Sequence, residues 1–165
     1  MAQHIQLIAH NLRSAHNVGS LLRTAEALGV EGVILSGYTP YPKLENDSRL
    51  PHIAKRVDAH IAKTALGAER LIPLRHSPKI EPVLEELRQQ GYQICALEQD
   101  PRSVALDEFQ TNANVALIVG REVEGIEPAI LGRVDDIIEI PLKGSKESLN
   151  VVQAAAIALY KLSLS

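Results

Sequence analysis

The chain has 165 residues, of which 45% are hydrophobic and 22% charged, which suits one compact domain over residues 1–165 and leaves little room for a second. It holds no apolar run of about 18 residues and no charged-then-apolar leader, so we expect no membrane helix, no signal peptide and a cytoplasmic protein. The formal net charge of −3 argues against an evenly basic surface for a polyanionic partner.

Charge is unevenly distributed along the chain. Residues 1–75 hold nine Lys and Arg against six Asp and Glu, whereas residues 76–165 hold eight against fourteen. The cations that the basic part could present to a partner include Arg13, Arg23, Arg49, Lys55, Arg56 and Lys63. A modest basic face could hold RNA phosphates locally, although most mixed surfaces of this kind bind no nucleic acid.

Apolar runs alternate with segments of helical periodicity along the whole chain. The predicted strands are 4–9, 30–36, 71–74, 92–97, 115–119 and 135–140. The predicted helices are 17–28, 51–66, 80–90 and 149–160, the last with Ser148 as its cap. This alternation predicts an α/β fold: a parallel sheet with helices on both faces and the most hydrophobic strand, 115–119, at its centre.

The segment 37–58 is rich in turns and contains three prolines. It is too long for a simple connection between two elements. We therefore expect either a mobile, partly basic loop that contacts the substrate or a disordered insertion.

Thiol and metal chemistry are not predicted. Cys95 lies in the apolar run 92–97, where a buried small hydrophobe is the expected role rather than a nucleophile. His52, His60 and His76 do not show the paired spacing of a metal site, so we predict no metal.

Three polar loops next to predicted strands and helices are candidates for ligand binding. Residues 17–23 read NVGSLLR at the start of a helix, 120–126 read GREVEGI after the central strand, and 143–148 read KGSKES before the last helix. Glycines at a strand's carboxyl end let backbone approach a ligand, and free amides at a helix start attract anions and lone pairs. No Lys-Ser/Thr follows Gly125, and no Gly-x-Gly-x-x-Gly follows the first strand, so neither a Walker A loop nor a dinucleotide fingerprint is present.

These loops resemble the signatures of the SpoU (TrmH-like) branch of the SPOUT RNA methyltransferases. The Asn-x-Gly…Arg pattern is matched in 17–23, Gly-x-Glu-x-x-Gly in 120–125, and the third signature in 140–151. The resemblance spans 11–160. It implies a SPOUT-type fold whose C-terminal segment is threaded into a trefoil knot, a homodimer through the knot-side helices, and S-adenosylmethionine as cofactor.

The resemblance also implies the reaction, transfer of a methyl group from S-adenosylmethionine to a ribose 2′-hydroxyl of tRNA or rRNA. The residues it assigns to the cofactor pocket are Leu97, Gly120, Ile140 and Leu149. Those it assigns to ordering the catalytic loop are Ser148, Asn150, Glu122 and Asn17. Arg23 is its candidate for activating the hydroxyl, and because a guanidinium stays protonated we expect alkoxide stabilisation and phosphate anchoring.

The chain departs from many relatives at Val152, where they carry Ser. It also lacks the extra N-terminal RNA-binding domain of some relatives and the basic extensions of others, so we expect RNA affinity to come from a dimer, the 37–58 loop or a partner. Two alternatives remain: a catalytically silent RNA- or nucleotide-binding module, and a small-molecule enzyme with Ser148 as nucleophile. The intact set of Arg23, Glu122, Ser148 and Asn150 favours an active methyltransferase.

Overall fold

In the computed structural model, which describes residues 3–164, seven strands form one sheet in which every neighbouring pair is parallel. The strands are β1 (Ile5–His10), β2 (Gly32–Ser36), β3 (Leu74–Ser77), β4 (Tyr92–Leu97), β5 (Val104–Ala105), β6 (Asn114–Val119) and β7 (Asp136–Glu139). Their order across the sheet is β3-β2-β1-β6-β4-β7-β5. The carboxyl ends of all seven strands therefore lie along one edge.

The described residues contain five α-helices, four between strands and one after the last strand. They are α1 (Ala15–Ala27), α2 (Pro51–Ala65), α3 (Glu81–Gln89), α4 (Pro128–Leu131) and α5 (Val151–Ser163). The helices α1, α2 and α5 share one apolar core with one face of the sheet, and α3 and α4 share a second core with the other face. None of the helices between residues 3 and 164 combines the length and apolar character that spanning a membrane requires.

The predicted architecture is confirmed: the sheet is parallel, helices cover both faces, and β6 is the central strand. The predicted strand 71–74 is wrong, because 68–70 form a 3-10 turn and β3 begins only at Leu74. The start of β3 is set by its pairing with β2, which runs from Val33 opposite Leu74 to Ser36 opposite Ser77. As an edge strand, β3 can carry the polar residues Arg75 and His76. The short elements β5 and α4 were not predicted.

The predicted cap of the last helix is also wrong. Asn150, not Ser148, is the N-cap of α5, and its side-chain oxygen accepts a hydrogen bond of 2.8 Å from the amide of Val152. The first helix starts two residues earlier than predicted, at Ala15, because the Ser14 side chain accepts from the amide of Asn17. In both cases the chain bends where a side chain reaches an unpaired amide of the first turn.

The loop between β2 and α2 is held together by Arg49. Its guanidinium donates to the Asp47 carboxylate and to the carbonyls of Tyr41 and Pro42, and it lies 3.6 Å from the centre of the Tyr41 ring. These contacts favour a folded loop over a disordered insertion. They also use the guanidinium of Arg49 within the protein, so Arg49 is not one of the cations free to contact a partner.

Helices α1 and α2 approach each other closely at Gly19. A Cβ atom at this position would collide with the carbonyl oxygen of Ile61 and the hydroxyl of Thr64, and would lie 2.9 Å from the amide nitrogen of Ala65. The Thr64 hydroxyl donates a 2.7 Å hydrogen bond to the carbonyl of His16 across the same contact. The glycine of the first signature is therefore needed for helix packing.

We predict that Gly19→Ala lowers the free energy of unfolding by about 1–3 kcal/mol, the usual range for overpacking, because backbone atoms of α2 must move. Thermal and urea unfolding followed by circular dichroism measure the effect. Gly132→Ala is the matched control, since its Cβ would meet only ordinary contacts at 3.5 Å and beyond. Equal stability of the two variants would contradict the close contact.

Candidate functional site

A cavity of about 350 Å³ opens at the carboxyl edge of the sheet, where β4, β6 and β7 end. Its walls come from three segments: residues that follow β4, the loop after β6, and the loop between β7 and α5. In parallel α/β sheets this edge is the usual place for ligands. The three loops lie together because β4 pairs with both β6 and β7.

All four residues predicted to bind the cofactor line this cavity: Leu97, Gly120, Ile140 and Leu149. Among the residues predicted to order the catalytic loop, Ser148 and Glu122 also line it. Asn150 lies at the start of α5, and its side chain is used as the helix cap. The cavity thus brings together positions that lie up to 52 residues apart in the sequence.

The loop after β6 folds back on itself as a tight hairpin. The amides and carbonyls of Arg121 and Gly125 pair, with N to O distances of 3.2 and 3.3 Å. A Cβ atom at Gly120 would lie 2.6 Å from the Ile126 side chain and 2.8 Å from the carbonyl carbon of Gly125. Glycine at position 120 is therefore required for the returning arm of the hairpin to pass beside the end of β6.

Glu98, which sequence reasoning missed, supports the returning arm of the hairpin. Its carboxylate accepts hydrogen bonds from the amides of Gln99, at 2.8 Å, and Ile126, at 3.0 Å. The Gln99 side chain in turn donates a 2.9 Å bond to the carbonyl of Glu147 in the third loop. The sequence signal that could have identified Glu98 and Gln99 is their position, since both residues directly follow β4 at the carboxyl edge of the sheet.

The charge of the cavity lining is strongly negative. Five glutamates and one arginine face it: Glu98, Glu122, Glu124, Glu139, Glu147 and Arg121. Apolar side chains such as Leu97, Val119, Ile140 and Leu149 form the rest of the wall. Such a lining favours a ligand with a flat apolar part and a positive charge, and it disfavours polyphosphates by like-charge repulsion.

The Glu122 carboxylate joins the hairpin to the start of α1. It accepts from the amides of Arg13, at 3.2 Å, and Ser14, at 3.1 Å, and from the Asn17 side chain, at 3.3 Å. Burial alone would raise the pKa of Glu122, but hydrogen bonds from its own amide and from these groups outweigh burial and lower that pKa. Glu122 therefore stays ionised at neutral pH and compensates the positive end of α1.

Arg23 lies apart from the cavity lining. It is exposed on α1 and, within residues 3–164, makes no ion pair and no side-chain hydrogen bond. The motifs place Arg23 in the same catalytic group as Ser148 and Asn150, but within the described residues its guanidinium makes no hydrogen bond to their loop. Residues 143–150 of that loop are exposed throughout.

The thiol of Cys95 is fully buried within the sheet. Burial, with Asp136 and Asp135 nearby, raises the pKa of this thiol to about 12, so it is not a nucleophile at neutral pH. Within residues 3–164 no group of three or more His, Cys, Asp or Glu side chains is placed to hold a metal ion.

Comparison with known proteins identifies the family. Residues 4–160 match the model of the SpoU rRNA Methylase family. A protein of Staphylococcus saprophyticus assigned to the TrmH family of tRNA/rRNA methyltransferases is 30% identical over 156 residues, which cover 94% of this chain and 57% of the relative. The corresponding protein of Staphylococcus haemolyticus is 28% identical over the same coverage. The chain thus spans 57% of the length of these curated relatives.

Solved structures show the same fold. The AdoMet-bound rRNA methyltransferase of Sinorhizobium meliloti superposes with a TM-score of 0.81 at 23% identity, covering 98% of this chain and 56% of that one. The A. aeolicus TrmH/SpoU tRNA modifying enzyme gives a TM-score of 0.79 at 24% identity, covering 98% and 75%. The family match extends over nearly the whole chain and includes all three loops around the cavity. The resemblance drawn from the motifs is confirmed, and the chain belongs to the SpoU rRNA methylase family.

Proposed function

We propose that this protein is an S-adenosylmethionine-dependent methyltransferase that methylates a ribose 2′-hydroxyl in tRNA or rRNA. The observation that carries the proposal is the cavity at the carboxyl edge of β4, β6 and β7, lined by all four residues that the motifs assign to the cofactor. The family match over residues 4–160 supports the reaction class.

The chemistry of the lining fits the proposed cofactor. Leu97, Ile140 and Leu149 offer apolar surface to an adenosine, and the glutamates favour a positively charged sulfonium. S-adenosylmethionine carries such a sulfonium and no phosphate, and when bound it supplies the methyl group. The AdoMet-bound state of the similar S. meliloti enzyme supports the same choice.

The proposed roles of the site residues follow from their positions. Glu122 and Asn17 hold the hairpin against α1, and Asn150 fixes the start of α5, so that Ser148 is presented at the cavity rim. Arg23 stabilises the developing alkoxide and anchors a phosphate of the RNA. This role requires Arg23 to gain contacts that it lacks in one protomer.

A homodimer would supply those contacts. Ile157 and Tyr160 on α5 and Leu164, directly after its end, form an apolar stripe, with exposed fractions of 45%, 57% and 65%. Because α5 packs directly on α1, an interface that covers this stripe would lie next to the helix that carries Arg23. We further propose a single SPOUT-type domain over residues 1–165 with a C-terminal trefoil knot, acting in the cytoplasm.

Cations on the two outer helices support an RNA substrate. Lys55, Arg56 and Lys63 on α2, together with Arg23 on α1, are exposed, and within the described part of the chain none has an ion-pair partner. Cations with no carboxylate partner can bind phosphates without first breaking an ion pair. The cavity lining, in contrast, carries five glutamates.

We predict that the protein binds S-adenosylhomocysteine and that Gly120→Val abolishes this binding, because the added side chain displaces the hairpin at the cavity. Isothermal titration calorimetry measures both affinities. Gly132→Ala is the control, and circular dichroism shows whether each variant is folded. Undetectable binding by the wild-type protein would contradict the proposed cofactor site.

We predict methyl transfer to RNA from cells that lack the protein, and a loss of one 2′-O-methyl nucleoside in those cells, measured by nucleoside mass spectrometry. Arg23→Ala should lower the transfer rate by about a hundredfold, the usual effect of removing a charge-stabilising donor, while cofactor affinity stays unchanged. Arg23→Lys should restore little, because an ammonium lacks the planar fork of donors.

The matched control for Arg23 is Arg133→Ala, which removes an exposed cation that follows α4, on the other face of the sheet. If Arg23→Ala weakens the cofactor as much as the transfer, Arg23 belongs to the pocket's architecture. If the wild-type protein binds cofactor but transfers no methyl group to any RNA, the silent binding module replaces the proposed enzyme.

We predict that the protein has twice the mass of one chain in light scattering at micromolar concentration, and that Ile157→Asp yields monomers, because a charge in the centre of the α5 stripe opposes its burial. Leu71→Asp is the control, since Leu71 is 70% exposed and lies at the other edge of the sheet. A wild-type monomer would be evidence against the dimer and against Arg23 acting across it.

A further inference from the structure

Tyr38 is an aromatic side chain that stands exposed at the carboxyl edge of the sheet. The chain has only four Tyr, one Phe and no Trp, and most of these rings have an evident role in the fold. Tyr41 stacks on His76, the Tyr92 hydroxyl donates to Glu31, and Phe109 is in the core. Tyr38, directly after β2, is 54% exposed, and its ring stacks on no other ring within residues 3–164.

The backbone that carries Tyr38 is held firmly. Its amide donates a 3.1 Å hydrogen bond to the side-chain oxygen of Asn11, and Asn11 itself has a left-handed φ of 55°. The Asn11 side chain also donates a 2.9 Å bond to the carboxylate of Glu127. The next residue, Thr39, is buried and bonds to the carbonyl of Ala9 and the amide of Leu12. An exposed ring on so well-bonded a turn loses little entropy when a ligand covers it.

Tyr38 is also tied to the rim of the cavity. Its hydroxyl lies near Arg13 and, with Glu124, raises the pKa of that guanidinium. Arg13 donates a 2.9 Å bond to Glu124 and, through its amide, bonds to Glu122, and both glutamates line the cavity. Because β2 and β6 flank β1 in the sheet, the end of β2 lies about 10 Å from the end of β6.

We propose that Tyr38 is a stacking platform for an unpaired RNA base close in sequence to the nucleotide that is methylated. The inference rests on the proposed function and deepens it, since it names single-stranded or looped RNA as the substrate. Proteins recognise such RNA by stacking its free bases on aromatic rings, whereas the bases of a duplex are not available for stacking. An exposed ring on a firmly hydrogen-bonded turn, with only the strand β1 between β2 and β6, is suited to this role.

Four variants at position 38 test the platform through the concentration of RNA at half-maximal methyl transfer. Tyr38→Ala and Tyr38→Leu should raise this concentration about tenfold, within the range for losing one base–aromatic stack, whereas Tyr38→Phe and Tyr38→Trp should stay near the wild-type value. Affinity for S-adenosylhomocysteine should be unchanged in all four variants. The hydrogen bond to Asn11 comes from the backbone amide of residue 38 and is kept whatever side chain stands there. Leu71→Ala is the control for removing an exposed side chain elsewhere.

Tyr38→Trp also allows a test that does not depend on turnover, because it introduces the only indole of the chain. Its fluorescence should be quenched by RNA from cells that lack the protein, and the same RNA should leave the indole of Leu71→Trp unaffected. Absence of quenching, or a Tyr38→Leu variant as effective as Tyr38→Phe, overturns the inference. If the wild-type protein transfers no methyl group to RNA, the proposed function fails. If Tyr38→Ala transfers methyl groups as the wild-type protein does, the stacking role of Tyr38 is contradicted and the proposed function stands.

Discussion

The site depends on one ionised carboxylate, that of Glu122. Its oxygens accept from the amides of Arg13 and Ser14 at the start of α1 and from the side chain of Asn17 in the first turn. Removing these acceptors would leave several donors without partners beside the cavity and free the hairpin from the helix. The first and second signatures are therefore joined in one structural unit, although Asn17 and Glu122 lie 105 residues apart in the sequence.

The second constraint is the separation of charge between the cavity and the outer helices. Glutamates line the cavity, whereas α1 and α2 carry four exposed cations that have no carboxylate partner among the described residues: Arg23, Lys55, Arg56 and Lys63. This arrangement fits the proposed function, in which a cationic cofactor and a polyanionic substrate bind the same small domain at different surfaces. It also accounts for a net charge of −3 on a member of a family of RNA methyltransferases. A small net charge is thus compatible with a negatively charged cavity and positively charged outer helices.

Helix α5 contributes both to the core and to the border of the cavity. Ala155, Ala158, Leu159 and Leu162 are buried in the core, and the amino end carries the loop that borders the cavity. Val152, where the family resemblance predicts Ser, packs against the apolar core and offers its amide to the Asn150 cap. A hydroxyl at position 152 is thus not needed to start the helix, and valine adds apolar contact at the same place.

The sequence by itself determined the parallel α/β architecture and the central strand, through apolar runs and helical periodicity. It identified six of the residues that line the cavity only through the resemblance of its loops to the SpoU signatures. Tertiary structure alone decided the register of β3 and the short strand β5, because both depend on pairing with strands distant in sequence. The use of Asn150 rather than Ser148 as cap is a local choice, since the Asn150 side chain bonds to the amide of Val152, and the sequence offered both residues as candidates for the same helix start. The bonds that Glu98 makes and the isolation of Arg23 on α1 were visible only in the structure. The pattern of a sequence indicates which residues lie at the end of a strand. Hydrogen bonds between loops determine which of these residues come into contact.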